Sequence, residues 1–219
     1  MPRKIALAEF VTSAVGARDL PRDGRPEVAM VGRSNVGKSS LINALVRGPI
    51  ARTSSTPGKT RLVNVYRVVP GAAGRERRLA GAFYLMDLPG YGHTSGGGKA
   101  REEFAAIIGA YFDARRRADE ASRHAGGAAS PLAGCILAID ARHPGLEGDV
   151  AALRWIATLD VPIVVVATKA DKLSQSERAA LVRACETAFG QTPLVVSALT
   201  GDGLDELWRR ITEWTEVHR

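Results

Sequence analysis

The sequence predicts an α/β fold in three layers: a mostly parallel six-stranded sheet, one antiparallel edge strand, and helices on both faces. Three observations carry this. Short apolar runs of strand length alternate with segments whose apolar residues recur at helical spacing, which is the pattern of a parallel sheet covered on both sides. Two strand-like runs, residues 62–69 and 79–86, are joined by Pro70-Gly71-Ala72-Ala73-Gly74, so one antiparallel hairpin interrupts the parallel order. A Gly-bounded loop separates the first apolar run from the first helical pattern.

In chain order, residues 1–26 hold one short apolar stretch and then the turn-forming Leu20-Pro21-Arg22-Asp23-Gly24-Arg25-Pro26. They read as an N-terminal extension packed on a single domain of residues 27–217. Val28–Val31 is a buried strand, and Leu41, Ile42, Leu45 and Val46 form a helical face that Gly48-Pro49 ends. Residues 51–60 read as a polar loop. Phe104, Ile107, Ile108, Tyr111 and Phe112 line one face of a helix that runs into Arg115-Arg116-Arg117. Beyond Ala125–Ser130 the order is strand 135–139, helix 150–159 and strand 163–167. A helix opened by the capping box Ser174/Glu177 follows, then strand 194–196 and a last helix with Leu204, Leu207, Ile211 and Trp214.

Composition narrows the class. The 219 residues are 45% hydrophobic and 24% charged, which suits one domain with a sizeable core. No apolar run approaches the roughly 18 residues a membrane helix needs, and the start lacks a signal-peptide core. These features read as a cytoplasmic protein with no membrane role. Cys135 and Cys185 fall in apolar patterns and read as buried free thiols. The four histidines do not cluster, so no metal-ligand spacing exists. A net charge of +7, carried mostly by arginine, favours a polyanionic partner, with nucleic acid first.

The polar motifs follow strand patterns, at the ends where such sheets bind ligands. Gly32-Arg33-Ser34-Asn35-Val36-Gly37-Lys38-Ser39 matches G-x-x-x-x-G-K-[ST]. Its glycines let backbone N–H groups turn toward phosphate oxygens, and the next helix adds its N-terminus. Lys38 would reach the β- and γ-phosphates and Ser39 would ligate Mg²⁺. Asp87-Leu88-Pro89-Gly90 ends the hairpin: Asp87 can hold a magnesium-bound water and the Gly90 N–H can meet a γ-phosphate. Thr168-Lys169-Ala170-Asp171 follows a strand, and the Asp171 carboxylate can accept from the ring N–H and exocyclic amine of guanine. Adenine has no such donor pair and would leave buried groups unpaired. Lys169 would lie along the base, and backbone N–H groups of Ser197-Ala198-Leu199 could meet the guanine carbonyl. Thr60 can add a second hydroxyl to Mg²⁺, with Thr53 and Thr56 as competitors.

In this order the motifs are those of a translation-factor-class P-loop GTPase. The chain more closely resembles the EngB (YihA/YsxC) family. Pro26-Glu27-Val28 running into Gly32–Asn43, Arg52-Thr53-Ser54, Pro57-Gly58-Lys59-Thr60, Asp87–Gly92, Asp140-Ala141-Arg142-His143-Pro144 and Thr168–Asp171 carry the resemblance, which covers roughly residues 8–215. It implies GTP and GDP as ligands and Mg²⁺ on Ser39 and Thr60. Gly58, Lys59, Arg61 and Leu62 would sit beside the phosphate site, and Val196, Ser197 and Ala198 against the base. It also implies a role in large (50S) ribosomal subunit assembly, with a precursor particle, its rRNA and ribosomal proteins as partners and a link to cell division and septation. A GTPase acting directly at the division site is the competing reading, and a monomer the default state.

Hydrolysis would involve Lys38, Asn35, Thr60 and Gly90. Many GTPases align the attacking water with a Gln just after D-x-x-G; Tyr91 stands there, so unaided hydrolysis is expected to be slow. In related GTPases an Asn at the Asn35 position helps hold potassium. Asn35 therefore reads either as a potassium ligand or as a residue that shapes the loop.

Overall fold

The computed structural model describes residues 5–52, 62–71, 81–91, 106, 108–117, 120–121 and 132–217. Seven strands form one sheet: β1 Ile5–Ala14, β2 Glu27–Gly32, β3 Val63–Pro70, β4 Phe83–Asp87, β5 Leu132–Asp140, β6 Ile163–Thr168 and β7 Leu194–Val195. Their order is β1-β3-β4-β2-β5-β6-β7. β3 runs antiparallel to both its neighbours, and the other adjacent pairs are parallel. The helices are α1 Lys38–Val46, α2 at residues 108–117, α3 Glu147–Ile156, α4 Gln175–Phe189 and α5 Leu204–Val217.

The three layers stand as expected, with seven strands in place of six. Residues 5–14, read from sequence as one short apolar stretch, add β1 outside β3, so the antiparallel strand lies one place in from the edge. The reason the strand was hard to read is physical. Its pairing with β3 slips twice, between Ile5 and Leu7 and between Phe10 and Thr12. Each irregularity breaks the alternation of inward and outward side chains on which period-2 reading depends. Phe10 packs edge-on against Tyr66 of β3, which anchors the middle of β1.

β2 and β5 are buried along their whole length, as central parallel strands must be. Alternate residues point to opposite cores. Val28, Met30 and Ile136 join Leu41, Leu45, Leu207, Trp208 and Ile211 beneath α1 and α5. Ala29, Val31, Cys135, Leu137 and Ile139 join Tyr111, Phe112, Ile156, Leu181 and Phe189 beneath α2, α3 and α4. The Trp208 indole N–H donates to the Leu45 carbonyl at 2.9 Å, tying α5 to the end of α1. Gly134 lets the Trp214 ring lie on the β5 backbone, since a Cβ there would sit 2.4 Å from a ring carbon. Ser174 and Glu177 form the expected capping box on α4.

Candidate guanine-nucleotide site

The loop from Gly32 to Lys38 is set by its backbone. Gly37 has φ 108° just before α1, a conformation few side chains tolerate. Gly32 passes under Ala138, where a Cβ would lie 2.7 Å from its carbonyl oxygen. Asn35 takes the left-handed conformation (φ 59°), which asparagine adopts more readily than most residues. No side chain caps the start of α1, so its first N–H groups face the loop and suit an anion.

Lys38 is buried, and its Nζ reaches the Gly32 carbonyl only at 3.4 Å. Burial lowers its pKa, opposed by the nearby Asp87 carboxylate. A buried cation with so few partners among the described residues gains from an anionic ligand. Asp87, at the end of β4, is also buried, and burial pushes its pKa up while Lys38 and the Asn64 side chain oppose this. Asn64 in turn accepts from Ser13 of β1 at 2.7 Å, so the edge strand supports the site. Asp87 Oδ1 is buried and has no hydrogen-bond partner among the described residues. An orphaned carboxylate oxygen facing a buried lysine, with the Ser39 hydroxyl one residue beyond that lysine, is a donor set that suits hydrated Mg²⁺. Among the described residues no cluster of His, Cys, Asp and Glu offers an alternative metal site.

The D-x-x-G turn is bound to the loop. The Leu88 N–H donates to the Met30 carbonyl at 3.2 Å, and the Ser34 N–H donates to the Tyr91 carbonyl at 2.9 Å. Ser34 Oγ donates to the Gly90 carbonyl at 3.1 Å. Gly90 must be glycine here: a Cβ would stand 2.8 Å from the Ser34 backbone.

The side of the site expected to meet the base is built from the ends of β5, β6 and β7. Thr168 Oγ1 lies 2.6 Å from the Val36 carbonyl and 2.9 Å from that of Ile139, joining β6 to the loop. Lys169, with φ 61°, extends across it and donates to the Asn35 carbonyl at 2.7 Å and to Asp140 Oδ2 at 2.9 Å. Asp140 is buried but also takes a bidentate contact from Arg142, at 2.9 and 2.7 Å. Burial alone would raise its pKa; the Arg142 and Lys169 hydrogen bonds outweigh it and hold the carboxyl well below the usual range. Asp171 Oδ1 accepts from Ser197 Oγ at 2.8 Å, and that bond, with Lys172 beyond it, lowers the Asp171 pKa. Ser197 Oγ also accepts from the Leu199 and Thr200 N–H groups, each at 3.2 Å. The Ala170 N–H donates to the Val196 carbonyl at 3.2 Å, which seats β7's end against the Thr168–Asp171 turn.

Of the residues expected from sequence, Gly32–Ser39, Asp87–Gly90, Thr168–Asp171 and Val196–Ala198 meet at one end of the sheet, and Leu62 immediately precedes β3. Gly58, Lys59, Thr60 and Arg61, and the competitors Thr53 and Thr56, lie outside the described residues, as do residues 93–98 and 122–130. Sequence reasoning gave no role to Asp140, which holds Lys169, or to Asp149, which holds Tyr91. The signal for Asp140 was a carboxylate closing an otherwise apolar strand.

Comparisons with known proteins show the family. Residues 27–169 match the family model described as 50S ribosome-binding GTPase. A probable GTP-binding protein EngB from Symbiobacterium thermophilum is 42% identical, over 95% of this chain and 97% of that protein. The same-named protein of Chlorobaculum tepidum is 36% identical over 97% of this chain and 99% of its own length. Among solved structures, a probable GTP-binding protein EngB superposes with TM-score 0.58 at 21% identity, covering 87% of this chain and 98% of that one. Aquifex aeolicus Era bound to GDP and aluminium fluoride superposes with TM-score 0.65 at 22% identity, covering 86% of this chain; this chain spans 56% of Era.

Proposed function

The chain belongs to the EngB family of GTP-binding proteins and is a GTPase, and on that premise we propose that it is a nucleotide-timed switch whose GTP form docks on a large-ribosomal-subunit precursor. The observation that carries the nucleotide half is the convergence of Lys38, Asp87, Gly90 and Asp171 at one sheet end. The partner half rests on the family model's description as ribosome-binding and on the arginine-rich +7 charge, which suits rRNA. A structure of Era, the fold neighbour, was solved with MgGDPNP and a segment of 16S ribosomal RNA. We take the chain as one G domain of residues 27–217 with residues 1–26 added to it, cytoplasmic and monomeric. Among the described residues no helix is long and apolar enough to cross a membrane.

In this reading Lys38 neutralises the phosphates, the Gly90 N–H meets the γ-phosphate, and Asp171 selects guanine, with Lys169 along the base and Val196, Ser197 and Ala198 closing the pocket. Gly58, Lys59, Thr60, Arg61 and Leu62 complete the phosphate side. Mg²⁺ would be held by Ser39 and Thr60 with Asp87 behind it, and supplies positive charge that offsets the phosphoryl oxygens. The Tyr91 phenol donates to Asp149 at 2.7 Å, so it faces α3 and is not free to align water. Slow unaided hydrolysis follows, and Asn35 either holds a potassium ion as a further source of positive charge or only shapes the loop. A link to normal cell division and septation belongs to the same reading.

Gradient co-sedimentation with ribosomal particles tests this, run with a GTP analogue, GDP and no nucleotide. Comigration with large-subunit particles in the GTP-analogue arm alone is the expected result. Comigration independent of nucleotide, or none in any arm, rejects the switch.

A further inference from the structure

Asp149 lies in the first turn of α3, is fully buried, and accepts the Tyr91 phenol on Oδ1 at 2.7 Å. The Tyr91 ring runs over that turn: a Cβ on Gly148 would meet it at 3.8 Å. Tyr91 is also held by its backbone. Its N–H donates to the Gly32 carbonyl at 3.3 Å and its carbonyl accepts from the Ser34 N–H at 2.9 Å. One residue therefore ties three elements: the phosphate loop, the D-x-x-G turn and α3. Burial pushes the Asp149 carboxyl's pKa up, and the Tyr91 hydrogen bond and the Arg33 charge oppose this without cancelling it. A carboxylate buried between a helix and a loop is not the choice that maximises stability, since a well-packed apolar side chain often does better. What it contributes is one defined arrangement of the phenol, and through it of residue 91.

We propose that Asp149 is a positioning residue for the GTPase switch: through the Tyr91 phenol it fixes the chain immediately after Gly90, and so makes that turn's response to the γ-phosphate depend on α3. The proposal rests on the reading of Gly90 as the γ-phosphate contact. With the phenol held, Gly90 is presented ready to bind. Without it, residue 91 loses its tie to the first turn of α3, and more of the ordering of the turn has to accompany γ-phosphate binding. Contacts to the base and the β-phosphate are common to GTP and GDP and are not affected. By reciprocity, anything that moves the first turn of α3 changes the preference for GTP over GDP.

The test uses the full chain as Tyr91→Phe, Asp149→Ala, Asp149→Asn and the Tyr91→Phe/Asp149→Ala double variant. Affinities for fluorescent GDP and a non-hydrolysable GTP analogue are measured, with thermal melting of the nucleotide-free protein alongside. Tyr91→Phe and Asp149→Ala are each expected to lose at least fivefold in GTP-analogue affinity while GDP affinity stays within twofold. The double variant should match Asp149→Ala within twofold, because both changes break one bond. Asp149→Asn, whose amide oxygen still accepts from the phenol, should stay within threefold of the parent. Parallel loss for both nucleotides, no loss for either, or losses that multiply in the double variant overturn the proposal, whatever the melting temperatures. Tyr91→Phe removes one hydroxyl and decides the matter alone if Asp149→Ala does not fold. A parent protein that does not prefer GTP to ATP would instead overturn the nucleotide reading on which the proposal stands.

Discussion

Ser197 Oγ donates to Asp171 Oδ1 at 2.8 Å, so the last sheet loop holds the carboxylate proposed to read the base. Asp171 remains an acceptor on both oxygens while the Ser197 bond orients it. Asp171→Asn exchanges one acceptor for a donor. Guanosine nucleotide affinity should fall roughly 100-fold, from losing hydrogen bonds to a charged group. Relative affinity for xanthosine nucleotides, which present an acceptor in place of the amine, should rise. Ser197→Ala should weaken both nucleotides by about tenfold without changing the preference. Titration with fluorescent guanosine and xanthosine diphosphates reads both; unchanged guanine preference in Asp171→Asn would remove Asp171 from the role.

Asp140 links pH to stability. Its folded-state pKa is depressed below the ordinary value of about 3.9, so folding favours its ionised form. The resulting stability is fully present above the unfolded-state pKa and is lost as pH falls through the folded one. Asp140→Asn should therefore destabilise the protein at pH 7 by about 1–3 kcal/mol, the scale of hydrogen bonds to charged groups. The gap between parent and variant should narrow below about pH 4. Urea unfolding midpoints at the two pH values measure this, and a gap that widens in acid would contradict it.

The cysteines should be silent. Both are buried, burial pushes the Cys185 thiol up to about 11 and Cys135 further still, and the thiolate is the reactive form. A chromogenic thiol reagent at pH 8 should titrate neither in the folded protein and both after denaturation. Fast reaction of either in the native state would show that the strand or helix carrying it opens.

Asn35 separates its two readings by salt. Its left-handed backbone and the Lys169 bond to its carbonyl account for a loop-shaping role. A potassium ligand predicts more: hydrolysis faster in potassium than in sodium, by about tenfold or more, with the difference absent in Asn35→Ala, since a well-placed charge at the phosphoryl group is worth at least that much. Equal potassium response in parent and variant would leave only the loop-shaping role.

How far the sequence could be read follows from where each feature is encoded. The phosphate loop is local chemistry: glycines where φ or close packing demands them, and a lysine at a helix start, all within eight residues. Asp87 was legible because it closes an apolar strand and Asp171 because it follows one within three residues, and sheets of this class bind ligands at such ends. β1 was not read as a strand because its two pairing irregularities blur the alternation. The Asp140–Lys169 and Tyr91–Asp149 bonds join residues 29 and 58 apart in the chain. Nothing local marks such pairs; they exist only once the sheet brings the strand ends and helix starts together.

The central claim is that GTP sets the grip on the proposed large-subunit precursor, and equilibrium binding to purified precursor particles tests it most directly. The protein loaded with a non-hydrolysable GTP analogue should bind at least about tenfold more tightly than the GDP-loaded protein, a coupling of about 1.4 kcal/mol, within the usual range for a switch. Equal affinity in the two states would contradict it.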